Sequence, residues 1–319
     1  MKKFLVLCLT GFMLFILTSC GKKAEPELVN TVEIKQVVNQ IKVDYDADDL
    51  KVKYHNQPSI ILKEYMNEDN QKYYAEIDSS QKSVKITEGK RPKRTSFKAF
   101  IELILPEEFD QDLTLHTTSG DIDLLETKKE FDSISLDTTS GEIQLRNSQA
   151  KSIKLTTTSG KLMAEKLAAT DEMIVESTSG SVEFKDIAAE NYQIKTTSGE
   201  TSLENVTGNV HYTTTSGKLN SSDLVGGGKF EATGGGDIQL VYKKVEQDIS
   251  MDAKNGQVTL DLPTKTNYQI KINTKNGTIE SDSEFNLKGN QQEKIGGTKD
   301  PEYVVKLATK NGNIDLKGH

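Results

Sequence analysis

The sequence predicts an all-β chain, wound as a right-handed single-stranded β-helix with coils of about 20 residues. Three observations carry that prediction. First, Thr-Thr-Ser-Gly occurs five times, ending at Gly120, Gly141, Gly160, Gly199 and Gly217. Related turns extend the series through Gly180, Gly236, Gly256, Gly277 and Gly312, at spacings of 18–21 residues until the last, which is 35. Second, apolar residues recur at fixed offsets from each glycine. Leu113 and Leu115 precede Gly120 as Ile134 and Leu136 precede Gly141, and Ile122 and Leu124 follow the first as Ile143 and Leu145 follow the second. Alternation of that kind marks strands with one face buried. Third, all the turns fall in one register, which favours a coil that returns to stack in parallel on itself over an up-and-down meander of hairpins. The Gly236 unit keeps the register only if one extra residue sits in Gly234-Gly235-Gly236.

The elements follow in chain order. Lys2 and Lys3 precede an apolar run from Phe4 to Leu17, so residues 1–19 read as a signal peptide. Leu17-Thr18-Ser19-Cys20 resembles the lipobox of bacterial lipoproteins, which implies a lipid on Cys20 and a chain anchored to the membrane. Residues 20–30 form the anchor and a short linker, reaching ~35 Å at full extension. Residues 31–106 are strand-rich without the turn motif and read as irregular coils capping one end; a separate small β-domain is the alternative. Residues 107–319 are the regular solenoid. Residues 286–301 are polar and glycine-rich and read as a surface loop. Lys90-Arg91-Pro92-Lys93-Arg94 is the one basic cluster, either a solvated loop or a local contact with anionic polymer or lipid.

Within each turn the residues divide by direction. The glycine is expected to supply a positive φ that other residues resist. The first threonine, as in Thr117, Thr138, Thr157, Thr196 and Thr214, continues the inward alternation. The second faces out, as Thr118, Thr139, Thr158, Thr178, Thr197 and Thr215, a ladder about 24 Å long. In sequence order the row continues through Gly234 to Lys254, Lys275 and Lys310, where the turns read Lys-Asn-Gly. This edge is the candidate binding surface. Stacked threonines also serve a purely structural purpose at a pleated corner.

Chemistry is sparse. A net charge of −8 argues against nucleic acid as a partner. Cys8 and Cys20 are the only cysteines, so no disulfide framework is available to the mature chain. His116 and His211 fall five coils, or about 24 Å, apart and cannot share a metal. Asp121, Asp123, Asp137 and Glu142 approach one another as a weak Ca²⁺ site or, more simply, a solvated acidic face. No cofactor is expected. The enzyme alternative is a polysaccharide lyase or hydrolase on a β-helix, which needs clustered carboxylates and a basic residue, yet the repeat holds a single arginine, Arg146.

The series Thr-Thr-Ser-Gly-Asp-Ile-Asp-Leu124, Thr-Thr-Ser-Gly-Glu-Ile-Gln-Leu145 and Thr-Lys-Asn-Gly-Asn-Ile-Asp-Leu316 resembles the bacterial β-strand-repeat family labelled "putative adhesin". The resemblance covers residues 31–317 and implies a β-helical extracytoplasmic domain linked to the cell envelope, with no catalytic residues to carry over. The expectation is therefore a lipid-anchored envelope protein that binds or scaffolds without catalysis. Its partners would be the membrane through Cys20, and an envelope polymer, a glycan or a protein.

Overall fold

The computed structural model describes residues 25–319, so Cys20 and the signal peptide lie outside the described residues. The all-β expectation holds. Among the described residues the only helical elements are two short 3₁₀ turns, Gln71–Tyr73 and Ser283–Phe285. Every strand among these residues belongs to one 24-stranded sheet.

Successive repeats stack in parallel rather than as hairpins. Strand Ile143–Thr157 pairs with Leu162–Ser177, which pairs with Val182–Thr196, which pairs with Thr201–Thr214. The apolar offsets read from the sequence are the stacking register. Ile122, Ile143, Leu162 and Val182 lie one above another after the turn. Leu113, Ile134, Ile153, Met173 and Tyr192 do so before it. All are buried in a single continuous core, each at 1% exposure or less. Each such aliphatic side chain stabilises the fold by about 1.5–3 kcal/mol on burial, and no unit can obtain that without its neighbours. The architecture is a β-helix-like solenoid.

The chain bends again six residues after five of the glycines. Asn147, Lys166, Asp186, Asn205 and Asp223 all take left-handed φ between 44° and 56°. Asn and Asp tolerate this region because their short side chains bond locally. This second corner repeats as regularly as the glycine turn, although its residues share no single identity.

Both ends depart from sequence order. At the C-terminal end, strand Tyr303–Thr309 pairs on one side with Ile238–Ala253 and on the other with Tyr268–Thr274. Ile314–Gly318 likewise lies between Val258–Leu262 and Ile279–Ser281. The last residues of the chain are thus inserted between two coils that precede them. The N-terminal end mirrors this. Gln40–Tyr45 lies between Ser83–Thr87 and Asp112–Thr117, and Asp49–His55 lies between Ala99–Pro106 and Ile122–Leu124.

Antiparallel strands then cover each end. Glu27–Ile34 pairs with Ile60–Met66, which pairs with Ala99–Pro106, and Glu76–Ser79 pairs with Ser83–Thr87. At the other end, Glu293–Gly297 pairs with Tyr268–Thr274 and Lys288–Gly289. The segment 286–301, expected as a surface loop, therefore supplies the closing strand of the stack. Sheet edges invite unwanted pairing, and antiparallel cover of this kind blunts them.

Candidate binding edge

The glycine turns form one column, and close stacking rather than the expected positive φ requires the glycines. None of the ten turn glycines has φ in the left-handed region. What excludes a side chain is close stacking. A Cβ on Gly141 would run into the carbonyl oxygen of Gly120, and one on Gly160 into that of Gly141. The same overlap recurs from Gly180 through Gly256, each against the glycine one coil back. At the end the order is Gly256, Gly312, Gly277, matching the inserted coil.

The inward threonines lock this column. Thr138 is 1% exposed; its hydroxyl donates to the Gly120 carbonyl at 3.2 Å and accepts the Gly141 N–H at 3.1 Å. Thr117 repeats the pattern on Asp48 and Gly120, at 3.1 and 3.2 Å. Thr157 and Thr214 accept from Gly160 and Gly217 at 2.9 and 2.8 Å. Thr309 and Thr274 donate to Gly256 and Gly312 at 3.3 and 2.9 Å. Each hydroxyl satisfies buried backbone groups that the turn leaves without a strand partner.

The outward row is exposed at Thr139, Thr158, Thr178, Thr197 and Thr215 and half-buried at Thr118. Two details of its course differ from the sequence reading. Ala232 occupies the level of Thr214, so the row continues through exposed Thr233, and Gly234 is not a member. Lysines then follow in the order Lys254, Lys310, Lys275. The amides of Lys310 and Asn311 donate to Ala253 and Lys254 at 3.1 and 3.0 Å, and those of Lys275 and Asn276 donate to Thr309 and Lys310 at 3.2 and 3.0 Å. Beside the lysines runs an asparagine ladder: Asn255 donates to the Gly234 carbonyl at 2.9 Å, Asn311 to Asn255 at 2.6 Å, and Asn276 to Asn311 at 2.8 Å.

The basic cluster at Lys90–Arg94 divides. Arg91 is not solvated: its side chain is 4% exposed, against 0% for Glu64 and 5% for Asp48, both of which it contacts. It donates to Glu64 at 2.6 Å and to the Tyr73 carbonyl at 3.1 Å, and its guanidinium lies 5.1 Å over the Tyr45 ring. Burial lowers the Arg91 pKa to about 10 and raises that of Glu64. This network ties the N-terminal cap to the first turn of the stack. Lys93 and Arg94 do face out, each against a carboxylate, Asp46 and Glu68. They flank an open cleft of about 670 Å³ that also touches Phe97 and Phe100.

The acidic group near Gly120 does not converge. The Asp121 carboxylate accepts the Glu142 N–H at 2.7 Å, and Asp137 pairs with His116 at 3.0 Å. Burial raises the pKa of Asp123. Among the described residues no set of three or more His, Cys, Asp or Glu side chains is placed to hold a metal. Arg146 lies in a shallow depression of about 400 Å³ with Glu165, Glu183, Lys185 and Glu204. Its acids are engaged coil to coil, Lys161 with Glu183 at 2.8 Å and Lys185 with Glu204 at 3.0 Å. Among the described residues no helix is long and apolar enough to cross a membrane.

Comparison with known proteins agrees with the architecture. No curated protein matches the chain. Two crystal structures share the fold. One is described as a "putative adhesin" from Parabacteroides merdae, at 17% identity and a TM-score of 0.52, covering 72% of this chain and 95% of that one. The other, similarly described and from Parabacteroides distasonis, has 17% identity and a TM-score of 0.51, covering 72% of this chain and 96% of that one. The family match extends over both the irregular N-terminal strands and the repeat, in two overlapping passes at residues 30–222 and 166–317, and the chain belongs to the Toastrack DUF4097 family.

Proposed function

We propose that this protein is a lipid-anchored, extracytoplasmic binding or scaffold protein of the cell envelope, without catalytic activity, that meets its partner through the turn edge. The observation that supports this reading is the edge itself. Its backbone is stacked carbonyl on glycine at every turn and bridged between coils by the buried hydroxyls of Thr117, Thr138, Thr274 and Thr309, while a row of hydroxyls and then lysines is held outward at a spacing of about 4.8 Å. A rigid, pre-ordered row loses little entropy on binding. The adhesin description of the two structural relatives agrees with a surface role. In this reading the helix is right-handed with coils near 20 residues, residues 31–106 form its cap, and Cys20 carries the lipid.

Two experiments test the reading. Crosslinking on intact cells from cysteines placed at Thr158 and Thr197 should capture a partner that cysteines on the opposite faces do not; equal capture from every face would refute a role for the edge. Cys20→Ala should move the protein from the membrane fraction to the soluble one, and retention would refute the anchor. The depression around Arg146 favours a second reading, a glycan-cleaving enzyme. Release of new reducing ends from acidic polysaccharides, lost in Arg146→Gln, would establish it.

A further inference from the structure

We propose that the Lys-Asn-Gly end of the turn edge binds an extended acidic glycan, with one carboxylate per coil. The proposal rests on the edge being a binding surface and names the ligand class for one end of it. The inserted C-terminal coil is what creates this strip. Sequence order separates Lys310 from Lys254 by another unit, whereas the structure places Lys254, Lys310 and Lys275 on three successive coils. Their spacing is about 4.8 Å and the strip extends about 10 Å.

Three features distinguish this strip from an ordinary solvated face. Among the described residues no carboxylate lies within 4.0 Å of any of the three ammonium groups, although the chain is acidic overall and pairs many of its other lysines across coils. Three like charges held in file repel one another, so the site is poised for a counter-charge of matching repeat. The row after the glycines also changes character. Further back it mixes Asp121, Glu142, Glu200 and Asp237 with Lys161, Ser181 and Lys218, but at this end it is uncharged, with Gln257, Asn313 and Thr278. Finally, the asparagine ladder spends one amide proton of each side chain on its neighbour and leaves the second for a ligand.

The chemistry selects the ligand. Lysine offers a point charge, while bidentate phosphate recognition relies on arginine, which the strip lacks. Flanking amides and a hydroxyl suit the ring hydroxyls of a sugar. A uronate chain presents one carboxylate per ring, a repeated negative charge along an extended polymer to set against one ammonium per coil about 4.8 Å apart. The strip lies roughly 40–50 Å along the stack from the turn at Asp48, beside the N-terminal cap. That position favours a polymer over the headgroups of the membrane that the anchor would hold.

The test uses the full chain and oligogalacturonate as probe, followed by calorimetry. Wild-type protein should bind it, and binding should weaken between about 50 and about 300 mM salt. Lys254→Gln/Lys275→Gln/Lys310→Gln should weaken binding by roughly tenfold or more. Lys128→Gln/Lys151→Gln/Lys154→Gln removes the same charge from paired lysines and should change it less than about twofold. All six side chains lie at the surface, and an unchanged melting temperature confirms that folding is intact. No binding by wild type, equal loss in both triple variants, or tighter binding of a glycerol-phosphate polymer or of phosphatidylglycerol vesicles would each overturn the proposal. The envelope-binding reading is scored separately, by capture from Thr158 and Thr197 on cells. It stands if that capture persists while oligogalacturonate fails.

Discussion

Cysteines introduced at positions 252 and 308 should form a disulfide, and cysteines at 252 and 273 should not. Asp252 and Ala308 are register partners, as are Ala308 and Asn273. Adjacent strands hold paired Cα atoms about 4.8 Å apart, inside the window of roughly 4.4–6.8 Å that a disulfide accepts. Positions 252 and 273 are separated by the inserted strand, at about 9.6 Å, beyond the limit of about 7 Å. Asp252 and Asn273 are exposed and Ala308 is half-buried, so substitution disturbs no core packing. The 252–308 bond closes a loop of roughly 57 residues, which in the chain-entropy account stabilises the fold by about 4 kcal/mol. The assay is mobility on a non-reducing gel, followed by urea denaturation with and without reductant, in a chain with Cys8 and Cys20 replaced by serine. A bond between 252 and 273 but none between 252 and 308 would show that the coils stack in sequence order and would refute the insertion.

Other outcomes follow from the turn column and the cap. Gly141→Ala should destabilise by about 1–3 kcal/mol in urea unfolding, because its methyl meets the Gly120 carbonyl rather than because of backbone strain. Thr138→Val should cost about 1–3 kcal/mol by leaving the Gly120 carbonyl and Gly141 N–H unbonded, while Thr139→Val should stay within about 0.5 kcal/mol. Arg91→Met should cost about 3–5 kcal/mol near neutral pH, since Glu64 and Asp48 lose the cation they are buried against. That loss should shrink on acidification. Burial already raises the Glu64 pKa, so between its unfolded and folded pKa values the folded state binds more protons, and stability falls as pH rises through that interval. A thermal-melting series of the variant against pH checks the sign.

The repeat was legible because its positions carry near-fixed residue types. Glycine, inward threonine and the flanking aliphatics each meet one demand that every coil makes. The physical reason for the glycine was not legible: sequence cannot separate a need for positive φ from a need for close approach, and the stacked carbonyls decide for the latter. The second corner has no sequence signature because Asn147, Lys166 and Asp186 satisfy one backbone demand with different side chains. Arg91 looked like part of a basic surface run because its partners Asp48 and Glu64 are 43 and 27 residues away in sequence. The coil order at the C-terminus was hidden for a related reason. Lys254, Lys275 and Lys310 have equivalent surroundings in sequence, and nothing local to any one of them records which coil is its neighbour.

The two inserted coils bear on how such a molecule lengthens. A solenoid with its chain ends at the ends of the stack grows by adding a unit at either terminus. Here a unit appended after His319 would emerge from the next-to-last coil, already flanked on both sides. At the other end the first parallel strand, Gln40–Tyr45, is flanked by Ser83–Thr87 and Asp112–Thr117, and the strand ahead of it, Glu27–Ile34, closes the stack antiparallel against Ile60–Met66. Duplication can therefore extend the stack only between Asp112 and Leu262, where chain order and coil order coincide. The termini act as fixed bookends and the middle as the adjustable spacer, so the length of the turn edge can change while both closures stay the same.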